Sequence, residues 1–511
     1  MKKQRILALL LVLILAVSVF TGCSREASGE QTAKTETVIT PVSAEAAQVA
    51  APKYIFLFIG DGMSYPQIQS ASYYQGAKKS GGKVETDNLS FMEFPVAGSA
   101  QTFDSTSFCP DSASTATSIS TGHKTYSGTI NMDTTFTKEY ETIAEKLKKQ
   151  MGYKIGVIST VNLNHATPAA FYAHQKSRNS YYEIGLEMIE SEFDFFAGGG
   201  LKKVTGDDGN RTNLYDLAEQ AGYKVVMNQK DAEKLTKTDG KSIVISEVLA
   251  DEDAMSYQLD ADKNKSEWVL ADYVEKGIEC LDNENGFFMM VEGGKIDWAC
   301  HANDAGSTVN DTIALDNAVK EAVKFYEKHP TETLILVTGD HETGGLTIGF
   351  AGTDYDTYLT NLTNQKISYA AFDEKYVAAY KENKTSFETV LKDIKSNFGL
   401  MTKNDKDASK DSKLVLTDYE YKKLKAAYEK TMSDSGEELS QEEYLLYGSY
   451  EPLSVTITHI LNNKSGINFA SYAHTGLPVP VFAMGHRQGI FQGFYDNTDI
   501  YHKLADITGV K

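Results

Sequence analysis

The chain has 511 residues, 41% of them hydrophobic, enough to bury a large core. Its 29 Tyr and 23 Phe exclude an intrinsically disordered chain. A formal charge of −20 excludes nucleic acid as a partner, because phosphate backbones call for Lys and Arg. It does not exclude small anions, since bound metal ions outweigh the global field locally.

Lys2, Lys3 and Arg5 precede an apolar run from Ile6 to Phe20, the pattern of an export signal and too short to span a bilayer comfortably. It ends Phe20-Thr21-Gly22-Cys23, which resembles a bacterial lipobox, although Phe20 departs from the usual Leu-like residue. The expectation is a signal peptide over 1–22 and a lipid on Cys23 that anchors the chain to the cell-envelope membrane, with several acyl chains for stable attachment. Residues 23–52 are rich in Ser, Thr, Glu, Ala and Gln and read as a flexible tether. With Cys23 set aside, Cys109, Cys280 and Cys300 remain. They are odd in number and form no CxxC, so no disulfide framework is implied.

From residue 53 onward, short apolar runs alternate with helical patterns. Tyr54–Ile59 is a continuous apolar run, as in a strand covered on both faces, and it ends Gly60-Asp61-Gly62. Cys109-Pro110-Asp111-Ser112 then leads into a helix of small residues. That places Ser112 at a helix N-terminus, where backbone N–H groups favour a phosphoryl group; Asp and Ser are also ordinary helix caps. Lys154–Thr160 is the next strand. Arg178 is one of only five arginines in the chain, and its planar fork matches two phosphate oxygens.

Ser266–Leu281 reads as an amphipathic helix. The strand Gly286–Val291 ends at Glu292. Asp297 and His301 follow at a spacing of i, i+4, on one helical face. Thr308–Lys328 is a second helix. The strand Thr333–Val337 leads to Asp340 and His341. Residues 352–467, dense in Lys, Asp, Glu and Tyr, break the rhythm. Helical periodicity over Glu374–Lys395 and Thr417–Met432 marks them as a helical insertion or cap. His474 precedes the last strand, Val479–Met484.

Strand–helix alternation predicts a three-layer α/β/α sandwich with a mostly parallel central sheet, over 53–351 and 468–511. Ligands in such sheets bind beyond the carboxyl ends of the strands. One acidic residue at a strand end is usually a turn or a cap. Three of them, each after a buried strand and beside glycine, point to a ligand cluster. Imidazole with carboxylate suits zinc, and all-oxygen sets suit magnesium.

Taken together, these motifs resemble the alkaline phosphatase family. The run Asp111-Ser112-Ala113 through Ala116-Thr117 is similar to its signature, as are Asp61-Gly62-Met63, His165-Ala166-Thr167-Pro168-Ala169, Val291-Glu292-Gly293, Asp340-His341-Glu342-Thr343-Gly344-Gly345 and His474-Thr475-Gly476. The resemblance implies phosphate monoester hydrolysis through a phosphoserine on Ser112. It implies two Zn2+ and one Mg2+ per chain. One zinc would use Asp297, His301 and His474, and the other Asp61, Asp340, His341 and the Ser112 oxygen. The third metal would share Asp61 and use Thr167 and Glu292. Arg178 would clamp phosphate oxygens, oriented by Asp111. His165 and Trp298 stand at positions that vary in the family; a nitrogen donor at His165 admits Zn2+ or Co2+ as the third metal. A homodimer is compatible with the resemblance, since many members are dimers. The competing readings are a phosphodiesterase or other hydrolase of the same superfamily, and a lipid-anchored phosphate- or metal-binding protein without turnover.

Overall fold

A computed structural model describes residues 50–261, 267–433 and 439–511. The signal peptide expected at 1–22, the lipid-bearing Cys23 and all of the tether up to residue 49 lie outside the described residues. No helix among the described residues is long and apolar enough to cross a membrane.

A ten-stranded sheet forms the middle layer. Its strands are β1 (Tyr54–Gly60), β2 (Val96–Gln101), β3 (Lys154–Ser159), β4 (Phe195–Gly198), β5 (Lys224–Val226), β6 (Ser242–Ile245), β7 (Phe287–Glu292), β8 (Thr333–Gly339), β9 (Val479–Gly485) and β10 (Gly493–Asp496). Their order is β10-β2-β9-β8-β1-β7-β3-β4-β6-β5. Only β9 runs against the rest, pairing antiparallel with both β8 and β2.

The alternation of side chains along a strand explains the three layers. On β1, Tyr54, Phe56 and Phe58 enter one apolar core, and Ile55, Leu57 and Ile59 enter the other. Strand β7 divides the same way, with Phe287, Met289 and Val291 on one side and Phe288 and Met290 on the other. The first core is roofed by the helices α1 (Tyr65–Lys79), α2 (Leu270–Leu281) and α3 (Ala305–Tyr326). Phe372, Val390, Ile394 and Leu424, from the 352–467 segment, join that same core. The second core packs under the helices Ser112–Thr121, Ile143–Met151 and Thr498–Thr508.

The five apolar runs seen in the sequence all form strands of this sheet. Strands β2, β4, β5, β6 and β10 were not anticipated. β4, β5 and β6 are three or four residues long, β2 mixes exposed with buried positions, and β10 has no buried position, so none gives a clear apolar signal. The helical stretch expected over Glu374–Lys395 is divided. A π turn at Asp373–Val377 runs into the helix Ala378–Asn383, which stops at Lys384 in the left-handed region (φ 48°). A new helix starts at Phe387 after the extended Ser386. Asn383, Thr385 and Ser386 are weak helix formers, which is why the periodicity does not carry through.

Register sets up the site. Gly60 of β1 pairs with Gly339 of β8, and Ile59 of β1 with Glu292 of β7. Asp61, Glu292 and Asp340 therefore emerge side by side at the carboxyl edge of three adjacent central strands.

Candidate active site

Ser112 is the first residue of its helix, and Asp111 is the cap. One Asp111 carboxylate oxygen accepts from the Ser114 backbone N–H at 3.1 Å. The other accepts from the Arg178 guanidinium at 2.9 Å. All ten residues of the helix are buried, which the Ala, Ser and Thr side chains permit. Ser112 keeps only 2% of its surface exposed, yet it lines a cavity of about 360 Å3 with Arg178, His165, Asp297, His301 and His474.

Three imidazoles converge here, and their hydrogen bonds fix their tautomers. His301 Nδ1 donates to the Tyr472 carbonyl at 2.6 Å, and His474 Nδ1 to the Pro110 carbonyl at 2.6 Å. Thr343 Oγ1 gives its proton to Asp297 at 2.5 Å and so accepts from His341 Nδ1 at 3.3 Å. Each ring thus turns its Nε2 inward, toward the carboxylates. The His301 and His474 Nε2 atoms stand 3.1 Å apart, and Asp297 carboxylate oxygens lie 3.3 Å and 3.6 Å from them. His341 Nε2 lies 3.1 Å from Ser112 Oγ, 3.3 Å from Asp61 and 3.4 Å from Asp340. Two imidazole nitrogens 3.1 Å apart need a proton or a metal cation between them. Histidines whose second ring nitrogen is tied to an oxygen are a recurrent feature of metal ligands.

A third group adjoins the second. Thr167 Oγ1 donates to Asp61 at 3.2 Å, and Ser159 Oγ donates to Glu292. Asp61 Oδ1 and Glu292 Oε1 are buried without a hydrogen-bond partner. Burial pushes Asp61 well above the usual carboxylate range, and the Asp340, Asp297 and Glu292 charges add to it. Burial likewise raises Asp340, with Asp297 contributing, and brings Glu292 up to about 7. Burial would lower His301, but Asp297 pulls it up to about 9. The raised Asp61, Asp340 and Glu292 carboxyls lack compensating positive charge, and the donors fit divalent cations: a carboxylate–imidazole set at Asp297, His301 and His474, another at Asp61, Asp340 and His341, and an all-oxygen set at Asp61, Thr167 and Glu292.

The structure therefore gathers every residue that the sequence singled out. His165 lines the cavity and accepts from Arg178 at 3.4 Å through Nε2, and burial holds it down to about 3, so it is neutral. Its ring meets Trp298 edge-on at 5.9 Å. Sequence reasoning missed several partners. Thr343 orients both Asp297 and His341, and Thr115 donates to Asp340 at 3.2 Å. Thr343 sits inside a quoted motif, but nothing in that motif marks it as an orienting group. Lys202, Tyr369 and Tyr450 also line the cavity, and no local pattern in the sequence points to them.

The profile of a family described as "Alkaline phosphatase" matches residues 52–510. Alkaline phosphatase 4 of Bacillus subtilis (strain 168) is 29% identical over 506 residues, spanning 97% of this chain and 95% of the relative. Alkaline phosphatase 3 of the same organism is 30% identical over 457 residues, 88% of this chain and 87% of that one. Among solved structures, a cold-active alkaline phosphatase from the psychrophile Shewanella sp. superposes with a TM-score of 0.72 at 26% identity. That match covers 89% of this chain and 99% of the other.

Proposed function

The chain belongs to the alkaline phosphatase family, and we propose that it hydrolyses phosphate monoesters through a phosphoserine formed on Ser112. The observation that carries this reading is the placement of Ser112 Oγ. It lies at a helix N-terminus, 3.1 Å from Nε2 of His341 and in one cavity with Arg178.

Two Zn2+ and one Mg2+, held by the three donor sets above, would supply positive charge that favours the serine alkoxide and offsets charge on the departing oxygen. Zn2+ or Co2+ is the alternative at the third position, with His165 close by. The chain's own residues do the rest. Ser112 gives its proton to solvent, and its oxygen forms a bond to phosphorus as the ester P–O bond breaks. The alcohol leaves with a proton from solvent. Water then attacks the phosphoserine, restoring the Ser112 hydroxyl and releasing inorganic phosphate. Two in-line displacements retain configuration at phosphorus.

Arg178 has one guanidinium nitrogen on Asp111 and offers others to the non-transferring oxygens. Asp111, tied at its other oxygen to the Ser114 N–H, holds that fork in place. Helix N–H groups beside Ser112 add donors without reorganisation during the reaction. Export and anchoring through a lipid on Cys23 belong to the same proposal and rest on the sequence alone.

The test is acid quenching during turnover of a labelled phosphate monoester. Label on the peptide that contains Ser112 supports the reading, and Ser112→Ala must abolish it while metal content is retained. Turnover by Ser112→Ala at the original rate contradicts the nucleophile assignment.

A further inference from the structure

One half of the cavity takes no part in the chemistry described so far. Besides the residues already described, the cavity is lined by Tyr181, Trp298, Tyr369 and Tyr450, together with Asp251 and the Lys202–Glu252 ion pair. Tyr369 and Tyr450 come from the 352–467 segment, outside the sheet. Their rings meet edge-to-face at 5.7 Å, with an interplanar angle of 86°. Tyr369 is braced from behind by Tyr257, centroid to centroid 5.8 Å. Tyr450 lies 6.2 Å from Tyr472, the residue whose carbonyl receives His301 Nδ1. Trp298 is fixed on one side by the Lys295 ammonium, 4.3 Å from the ring centroid. These rings are held in place before any ligand arrives.

Two donors on this wall are unused. The Tyr450 hydroxyl and the Trp298 indole N–H have no protein acceptor among the described residues. Burial holds the Tyr450 hydroxyl above its ordinary titration range, so it keeps its proton and can donate. An alkyl leaving group would leave both donors without acceptors, at a cost in binding. A flat ring that carries acceptor nitrogens and oxygens satisfies the rings by stacking and the donors by hydrogen bonding.

Resting on the phosphomonoesterase reading above, we propose that Trp298, Tyr369 and Tyr450 form a leaving-group subsite for heteroaromatic leaving groups, with nucleoside 5′-monophosphates as the class it takes. The cavity, about 360 Å3, falls in the range of small-molecule sites. The helical segment is then a specificity element that supplies two of the three rings.

The test uses adenosine 5′-monophosphate and ribose 5-phosphate. Their ester bonds are chemically alike, and they differ by the base. The subsite predicts a kcat/KM ratio of about tenfold in favour of the nucleotide, the scale that one base–aromatic contact supports. Tyr369→Leu and Tyr450→Leu should bring the ratio toward one while leaving ribose 5-phosphate turnover within about twofold. Tyr450→Phe keeps the ring and should lose only the hydroxyl's share. A ratio of one in the unaltered protein, or a ratio unmoved by all three changes, overturns the subsite. Binding of both compounds to Ser112→Ala tests it without turnover, and the same preference is expected there. Failure of both compounds to be hydrolysed by the unaltered protein, with the binding preference intact, would instead strike the phosphomonoesterase reading.

Discussion

At His301, His474 and His341 one ring nitrogen is tied to an oxygen and the other turns inward toward carboxylates. That arrangement makes a prediction for the set built on Asp297, His301 and His474. His301→Ala removes a donor from the Asp297 set alone, so the protein should lose one metal equivalent of three. Inductively coupled plasma analysis reads this directly, and unchanged stoichiometry would remove His301 from the ligands. Arg178→Ala should cost kcat/KM on the order of 10²- to 10³-fold and weaken inhibition by inorganic phosphate, because the role proposed for the fork is to hold phosphate oxygens. Equal phosphate inhibition in both proteins would place Arg178 outside the site. The residue scale is also where the sequence was most readable. Asp61, Glu292, Asp340 and His341 stand at ends of buried strands, and such ends can be located from apolar runs. The orienting groups were not legible. Thr343, Thr115 and Ser159 act through hydroxyl contacts that only the three-dimensional packing creates.

The helix Lys295–His301 must stop where it does for His301 to meet His474. Asn303 accomplishes this. It adopts the left-handed region (φ 50°), and its side-chain amide donates to the Cys300 and Ser471 carbonyls at 2.9 Å each. His459, from the helix Pro452–Ser465, donates to the Asn303 side-chain oxygen at 3.0 Å. One amide thus joins the helix bearing Asp297 and His301, the loop bearing His474 and the helix that ends the 352–467 segment. Asn303→Gly keeps the backbone conformation and deletes these bonds. Zinc affinity of the Asp297 set should fall about 10- to 100-fold in competition with a chelating dye, as for other outer-shell changes. An affinity equal to that of the unaltered protein would show that Asn303 serves only the turn. None of this was visible in the sequence, where Asn303 reads as one more polar residue after a helix. Strands β1, β3, β7, β8 and β9 were visible because their burial on both faces writes itself as unbroken apolar runs. β2 and β10 were not, because β2 carries Gly, Ser and Gln and β10 is a short edge strand without a buried position.

For the molecule as a whole, an ion pair far from the site bears on behaviour in alkali. His174 sits between Glu145 and Glu187, 3.6 Å from each. Burial lowers its pKa, but the two carboxylates outweigh this and raise it to about 10 from 6.5. A raised folded-state value means that its contribution is fully present below pH 6.5 and is lost as pH climbs through about 10. Urea unfolding should therefore show stability declining between neutral pH and pH 10, and His174→Gln should flatten part of that decline. An identical slope in the variant would mean that the pair contributes nothing. The three-layer class was legible from strand–helix alternation alone. The antiparallel course of β9 and the way the 352–467 helices share the first core were not, because pairing direction and long-range packing leave no local trace.

The most direct test of the central claim is the hydrolysis of a chromogenic phosphate monoester across mildly acid to strongly alkaline pH. The assay is run with and without a chelator and then with zinc and magnesium restored, with a phosphodiester and a sulfate ester in parallel. The account predicts monoesterase activity that rises into the alkaline range, disappears with chelation and returns with zinc. Preference for the diester or the sulfate, or monoester turnover indifferent to the chelator, would contradict it.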